Sequence, residues 1–266
     1  VAEPTGIVYG WHAAASVLER RPADVRRAWF LEHSGDRLGA LRSGVATLGI
    51  EFAIVGRREL DRICAGGRHQ GIALEVRSPR TLDLTELEEL VTALGRRTRL
   101  LLLDQVEDPR NLGACLRTAD AAGMHAVVVP KSRSAKLTPA AVKAAAGAAD
   151  TVPLAVVPNL ARLMRWLGKA GIWIVGTDGS APVMINEIEL APPVAVVLGA
   201  EARGLRRLTR ESCDALASIP MYGTVDSLNV SVAAGIVLFE LARQAPPMVD
   251  AGGAEPGEVE LSGPGA

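Results

Sequence analysis

Asn111 and Arg117 stand six residues apart in a run that leaves an apolar stretch through Asp104, Asp108 and Pro109 and then turns small and apolar. A carboxamide and a guanidinium on one helix, somewhat under two turns apart, follow the carboxyl end of an apolar strand, which is where a parallel sheet usually binds its ligands. The plain structural alternative makes Asn111 the helix N-cap and Arg117 a surface charge. A second run, Leu198-Gly199-Ala200-Glu201-Ala202-Arg203-Gly204-Leu205, sets a carboxylate between two glycines directly after an apolar strand. Glycines there suit close backbone approach to a ligand, although glycine turns also occur for structural reasons alone. In a third run, Ser227 and Asn229 open a helix whose body is almost wholly small and apolar. Ser227 or Asp226 would cap it, and polar groups crowded at such an end need partners, which a ligand can supply.

The elements that must position these residues follow from hydrophobic periodicity. Residues 7–77 alternate in type: a helix over 10–20, a strand over 27–31, a helix over 37–48, a strand over 52–55, a short helix over 57–64 and a strand over 72–76. Pro79, set among polar residues 77–81, marks a boundary. The second unit repeats strand and helix: strands over 100–103, 126–129, 154–157, 172–175 and 194–198, helices over 112–122, 139–146 and 160–170, and a last helix over 227–243. Short Val, Ile and Leu strands between amphipathic helices predict a parallel sheet covered on both faces. The expected division is an α/β domain over 1–78, a linker and leading helix over 79–98, a second α/β domain over 99–244, and a disordered acidic tail over 245–266.

Composition narrows the function classes. Hydrophobic residues make up 48% of the 266 and charged residues 22%, as in ordinary globular proteins. A net charge of -1 and 3% aromatics argue against a wholesale nucleic-acid binder or a base-stacking platform. The charge is uneven, however: residues 1–80 hold 12 arginines against 9 acids, whereas the last 22 residues hold 4 acids and no base. Cys64, Cys115 and Cys213 form no CxxC pair, and the four histidines have no ligand spacing, so no metal site is expected. No apolar run is long enough for a membrane span and no signal-peptide pattern opens the chain, which leads to a cytoplasmic expectation. Neither GxGxxG nor GxxxxGK[ST] is present, which disfavours an NAD-type Rossmann site, a nucleotide-triphosphate loop and the usual glycine-rich methyltransferase loop.

Taken together and in order, the three runs read Asp-Pro-x-Asn-x-Gly-Ala-x-x-Arg-Thr-Ala from Asp108, Leu-Gly-x-Glu-x-x-Gly-Leu from Leu198, and Ile-Pro-Met-x-Gly-x-x-x-Ser-Leu-Asn-Val-Ser-Val-Ala from Ile219. This resembles the SpoU (TrmH) family of RNA ribose 2'-O-methyltransferases. Residues 119–123, 129–131 and 206–211 look like the branch that methylates a guanosine in the peptidyl-transferase P-loop of 23S rRNA. Tyr9-Gly10-Trp11-His12-Ala13 and His69-Gln70-Gly71 look like that branch's small RNA-binding domain, of ribosomal protein L30e type. The resemblance spans about residues 7–244. It implies an α/β-knotted SPOUT methyltransferase domain with the C-terminal segment threaded through a loop, a homodimer, and S-adenosyl-L-methionine as cofactor. Carried over by position, it implies cofactor contacts at Thr177, Gly199, Ile219 and Leu228, and chemistry at Asn111, Arg117, Glu201, Ser227 and Asn229. The implied partner is 23S rRNA or a large-subunit precursor. A tRNA ribose methyltransferase, an antibiotic-resistance rRNA methyltransferase and a non-catalytic RNA-binding assembly factor are the alternatives.

Overall fold

The structure is a computed structural model that describes residues 5–32, 35–77, 79–201 and 203–246. The expected tail lies outside the described residues from residue 247 onward, and Ser78, within the expected linker, also lies outside them.

The N-terminal unit is a four-stranded sheet in the order β1-β4-β2-β3, formed by β1 (Thr5–Tyr9), β2 (Val25–Leu31), β3 (Glu51–Val55) and β4 (Ile72–Arg77). Strand β4 is antiparallel to both neighbours, and β2 runs parallel to β3. Helices α1 (Trp11–Arg20), α2 (Asp36–Thr47) and α3 (Arg57–Ile63) cover it. The pleat sends Phe30, Ile72 and Leu74 toward α1 and α2, while Ala73 packs with Leu60 and Cys64 on the other face. Strand β1 is an addition to the elements read from sequence, whose pairing partner lies some 70 residues away.

The C-terminal unit is a six-stranded, wholly parallel sheet in the order β10-β8-β9-β5-β6-β7. Its strands are β5 (Arg99–Asp104), β6 (Ala126–Pro130), β7 (Leu154–Val157), β8 (Trp173–Thr177), β9 (Val194–Gly199) and β10 (Ala215–Ala217). Both faces are buried, as their continuous apolar character requires. Leu101, Leu103, Val127 and Val196 pack under α5 (Pro109–Ala121), α6 (Pro139–Ala145) and α9 (Val230–Gln244). Leu100, Leu102, Val128 and Val197 pack under α4 (Leu84–Leu94) and α7 (Leu160–Lys169). Helix α4 is the expected leading helix, fixed by a reciprocal capping box between Asp83 and Glu86. Helix α8 (Arg207–Glu211) and β10 were not legible, being five and three residues long.

The two ends read as helix starts shift. Asp108, not Asn111, caps α5 by accepting from the Arg110 amide, which places Asn111 inside the first turn. Helix α9 begins at Val230 with Asn229 as its cap, so Asp226 and Ser227 belong to the preceding loop rather than to the helix. That loop, residues 218–229, is held from two sides. Ser218 exchanges backbone hydrogen bonds with Val183 and Ile185, and Asn229 bonds to Glu201.

Candidate active site

Ligands of open parallel sheets lie beyond the carboxyl ends of the strands, and the three sequence runs meet there. Strand β5 ends at Asp104, which is fully buried. Its carboxylate accepts from the Arg206 amide at 2.9 Å and from Arg206 Nε at 2.7 Å, pinning the loop that follows β9 onto the end of β5. Next to it, Gln105 takes a left-handed backbone at φ 64° and turns the chain toward α5. The loop after β9 is tight: a Cβ on Gly199 would lie 2.2 Å from the Gly204 carbonyl carbon. No side chain fits there, which accounts for the glycine at that position.

Three polar side chains from three distant segments converge on one another. Asn111 Nδ2 donates to Glu201 Oε1 at 2.9 Å. Asn229 Nδ2 donates to the same oxygen at 2.6 Å and approaches Asn111 Oδ1 at 3.0 Å. The Val230 amide adds a third donor to Glu201 Oε1 at 3.3 Å. Asn229 Oδ1 in turn accepts from the Ser231 amide and hydroxyl, so its carboxamide orientation is fixed at both ends. Arg117 is exposed and makes no hydrogen bond or ion pair among the described residues. Its guanidinium is open to a solvent-borne anion.

Beside the cluster lies a cleft lined by Thr177, Asp178, Gly179, Gly199, Glu201, Ile219, Met221, Asp226, Ser227 and Leu228, among others. All four positions expected to contact a cofactor line it, and so do Glu201 and Ser227. Asn111, Arg117 and Asn229 do not. A larger cleft of about 460 Å³ between Arg96, Trp166 and Pro193 sits at the opposite end, where β8 and β9 begin, and holds none of these residues.

Sequence reasoning missed Asp104, Arg206, Asp178 and Ser231. Asp178 accepts from the Ser180 hydroxyl at 2.6 Å and pairs with Arg210 at 3.0 Å. The Ser180 hydroxyl first, then its amide and Arg210, hold the Asp178 carboxyl below its ordinary value against the opposing effect of burial. Burial raises the Cys115 and Cys213 thiols to about 12, which leaves neither as a nucleophile at neutral pH. Among the described residues no three His, Cys, Asp or Glu side chains group as metal ligands.

Residues 98–239 match the SpoU rRNA Methylase family, and residues 7–82 match the RNA 2'-O ribose methyltransferase substrate-binding family. The chain belongs to the SpoU rRNA methylase family. Its fold is accordingly the α/β SPOUT methyltransferase fold with an appended N-terminal unit. The 23S rRNA (guanosine-2'-O-)-methyltransferase RlmB of Salmonella typhi is 50% identical over 239 residues, covering 90% of this chain and 98% of that protein. The enzyme of the same name from Escherichia coli K12 is 48% identical over the same share of this chain. Among solved structures, the SpoU methyltransferase AviRb from Streptomyces viridochromogenes, crystallised with AdoMet, superposes with a TM-score of 0.74 at 25% identity, covering 90% of each chain. The structure brings Asn111, Glu201 and Asn229, one from each of the three runs, together at one end of the sheet.

Proposed function

We propose that the chain transfers a methyl group from S-adenosyl-L-methionine to the ribose 2'-oxygen of a guanosine in 23S rRNA, at the peptidyl-transferase P-loop, during ribosome maturation. The observation that carries this reading is the Asn111–Glu201–Asn229 cluster at the edge of a glycine-tightened cleft. Relatives with this named activity, similar over nine-tenths of the chain, support the choice of RNA. Residues 1–78 would hold RNA and residues 99–244 would carry the chemistry, in the compartment where rRNA is made.

The cleft suits the cofactor. Its walls combine apolar side chains, Leu198, Ile219, Leu228 and Val230, with the carboxylates of Asp178, Asp226 and Glu201. Apolar walls suit a purine, and carboxylates suit a cationic sulfonium and ammonium. When bound, S-adenosylmethionine supplies an electrophilic methyl group. The protein's own task is then largely alignment of the ribose oxygen. Glu201 orients the carboxamides of Asn111 and Asn229, and Ser227 presents a hydroxyl at the cleft. Arg117 grips the phosphate beside the target ribose and stabilises the developing oxyanion. A guanidinium does not give up its proton at neutral pH, so the ribose proton leaves through phosphate or water.

The working unit is a homodimer on this reading. Along α9, Val232, Ile236 and Phe239 expose large apolar surface at helical spacing, and Tyr222 and Val225 expose more in the preceding loop. A second copy seated on α9 would lie against the loop that carries Ser227. Replacing Phe239 with Glu is expected to shift the protein to monomer in sedimentation and to depress methyl transfer with it.

Labelled S-adenosylmethionine, unmodified 23S rRNA and mapping of the methylated nucleotide test the main reading. Label in the expected guanosine is the outcome anticipated. Label in tRNA alone, or in no RNA, would overturn it. Arg117→Lys is expected to lose most turnover while binding RNA normally, because a point charge does not replace a fork.

A further inference from the structure

No acid stands between Asp120 and Asp150, yet Lys131, Arg133 and Lys136 fall within six residues immediately after β6. All three are exposed, and none has an ion-pair partner among the described residues. The loop that carries them is firmly held. The Lys131 amide donates to the Val157 carbonyl at 2.8 Å and the Ala135 amide to the Val106 carbonyl at 2.7 Å. The Ser134 hydroxyl closes onto the Pro130 carbonyl, and Ala135 is buried. Arg133 sits at φ 55°, a left-handed backbone that a non-glycine residue adopts at a cost. Three like charges presented on a fixed and strained loop gain nothing for the fold.

Their location gives them a use. On one side, Val106 belongs to the segment leading into α5, with Asn111 and Arg117. On the other, the loop runs into α6, where the N-terminal unit docks: Lys143 Nζ lies 4.7 Å from the Tyr9 ring centroid, and Pro139 abuts Gly6. The loop therefore bridges the two units at the carboxyl end of the sheet. Of the nearest acids along the packed segment, Asp108 is engaged in capping α5, while Glu107 makes no ion pair among the described residues.

We propose that Lys131, Arg133 and Lys136 form a phosphate-binding step that guides the RNA strand from the N-terminal unit to Arg117. This rests on the RNA-methylating function proposed above and assigns part of its substrate site. With 3% aromatic residues the protein has few rings for stacking bases, so backbone contacts of this kind are the available means of holding RNA.

The test combines Lys131→Ala, Arg133→Asn and Lys136→Ala, the Asn retaining the left-handed backbone without the charge. RNA affinity is measured across a salt series, alongside methyl-transfer kinetics. Loss of three phosphate contacts should lower the slope of log affinity on log salt by about 2 and raise the KM for RNA about tenfold. The kcat should stay within about twofold, with cofactor affinity unchanged. Lys131→Gln alone, at an exposed side chain that the fold does not use, should lower the slope by about 0.7. Arg165→Ala, an exposed charge on α7, should leave it unaltered. An unchanged slope and KM in the triple variant would overturn the proposal. If the unaltered protein methylates no RNA, the functional reading fails, while the slopes, which need binding alone, still decide the role of the loop.

Discussion

Glu201 Oε1 accepts from Asn111, Asn229 and the Val230 amide, so one oxygen organises three segments of the chain. Its role as an orienting acceptor separates from a role as base by substitution. Glu201→Gln keeps an acceptor oxygen with weaker, uncharged hydrogen bonds, and turnover is expected to fall by less than about tenfold. Glu201→Ala leaves three donors without their acceptor, and a loss of about 100-fold or more is expected; an equal loss in both variants would mark a base instead. Asp178 supplies a pH test. Its carboxyl is lowered below the ordinary 3.8, chiefly by the Ser180 hydroxyl. A lowered folded value stabilises the protein at pH above the unfolded value and loses that contribution as pH falls through the folded one. The stability gap between the unaltered protein and Asp178→Asn, read from urea midpoints, should therefore shrink as pH drops below about 4. Asn111, Glu201 and Asn229 were legible because each follows or opens an element with a clear pattern. The Asp104–Arg206 clamp was not, since its partners lie 102 residues apart and no local pattern ties one to the other.

Helices α5 and α6 show how an element places a side chain. A Cβ on Gly113 would lie 2.2 Å from the Ala141 carbonyl oxygen and 2.6 Å from Ala144 Cβ, so the glycine allows the two helices to touch. Helix α5 presents Asn111 two residues away, and α6 meets the N-terminal unit. Gly113→Ala gains up to about 1 kcal/mol of helix propensity but overpacks against backbone, which costs about 1–3 kcal/mol. A net loss of about 1–2 kcal/mol in urea unfolding is expected, with reduced methyl transfer from a displaced Asn111. Gly168 on α7 has nothing within 4 Å of an added Cβ, and Gly168→Ala should instead stabilise by about 0.5–1 kcal/mol. Long elements were legible to within a few residues because periodicity reports burial, and the core strands are buried on both faces. Strand β10 and helix α8 were not, since three to five residues carry no period. The first turn of α5 was misplaced because Asn111 is a good cap by type, whereas Asp108 followed by Pro109 is the better local signal.

At the scale of the molecule, net charge concealed the side proposed to face RNA. The acids of the tail offset an excess of arginine at the other end, and the three charges of the basic loop after β6 are lost in a total of -1. The threading that the family resemblance implies is likewise invisible to local pattern, because it depends on how distant segments pass one another rather than on any periodicity. The joint between the two units carries a further expectation. Arg21 of the N-terminal unit pairs with Asp150 at 2.8 Å, with side-chain exposures of 11% and 6%. Burial raises the Asp150 carboxyl despite the opposing pull of Arg21 and Arg20. A raised folded value means that the ionised carboxylate costs stability near neutrality, and that this cost is relieved as pH falls through the raised value. The two partners should then respond unequally. Arg21→Ala strands a buried charge and is expected to cost about 3 kcal/mol. Asp150→Asn removes that charge, while Arg21 keeps the Arg77 carbonyl at 3.0 Å and Asp24 at 3.6 Å. Its cost should stay below about 1 kcal/mol in the same urea titration. Equal losses would mean that the pair, rather than relief of the buried charge, holds the joint. The N-terminal unit would then depend on Asp150 for the placement of RNA above Arg117, and RNA affinity should fall in step with stability in both variants.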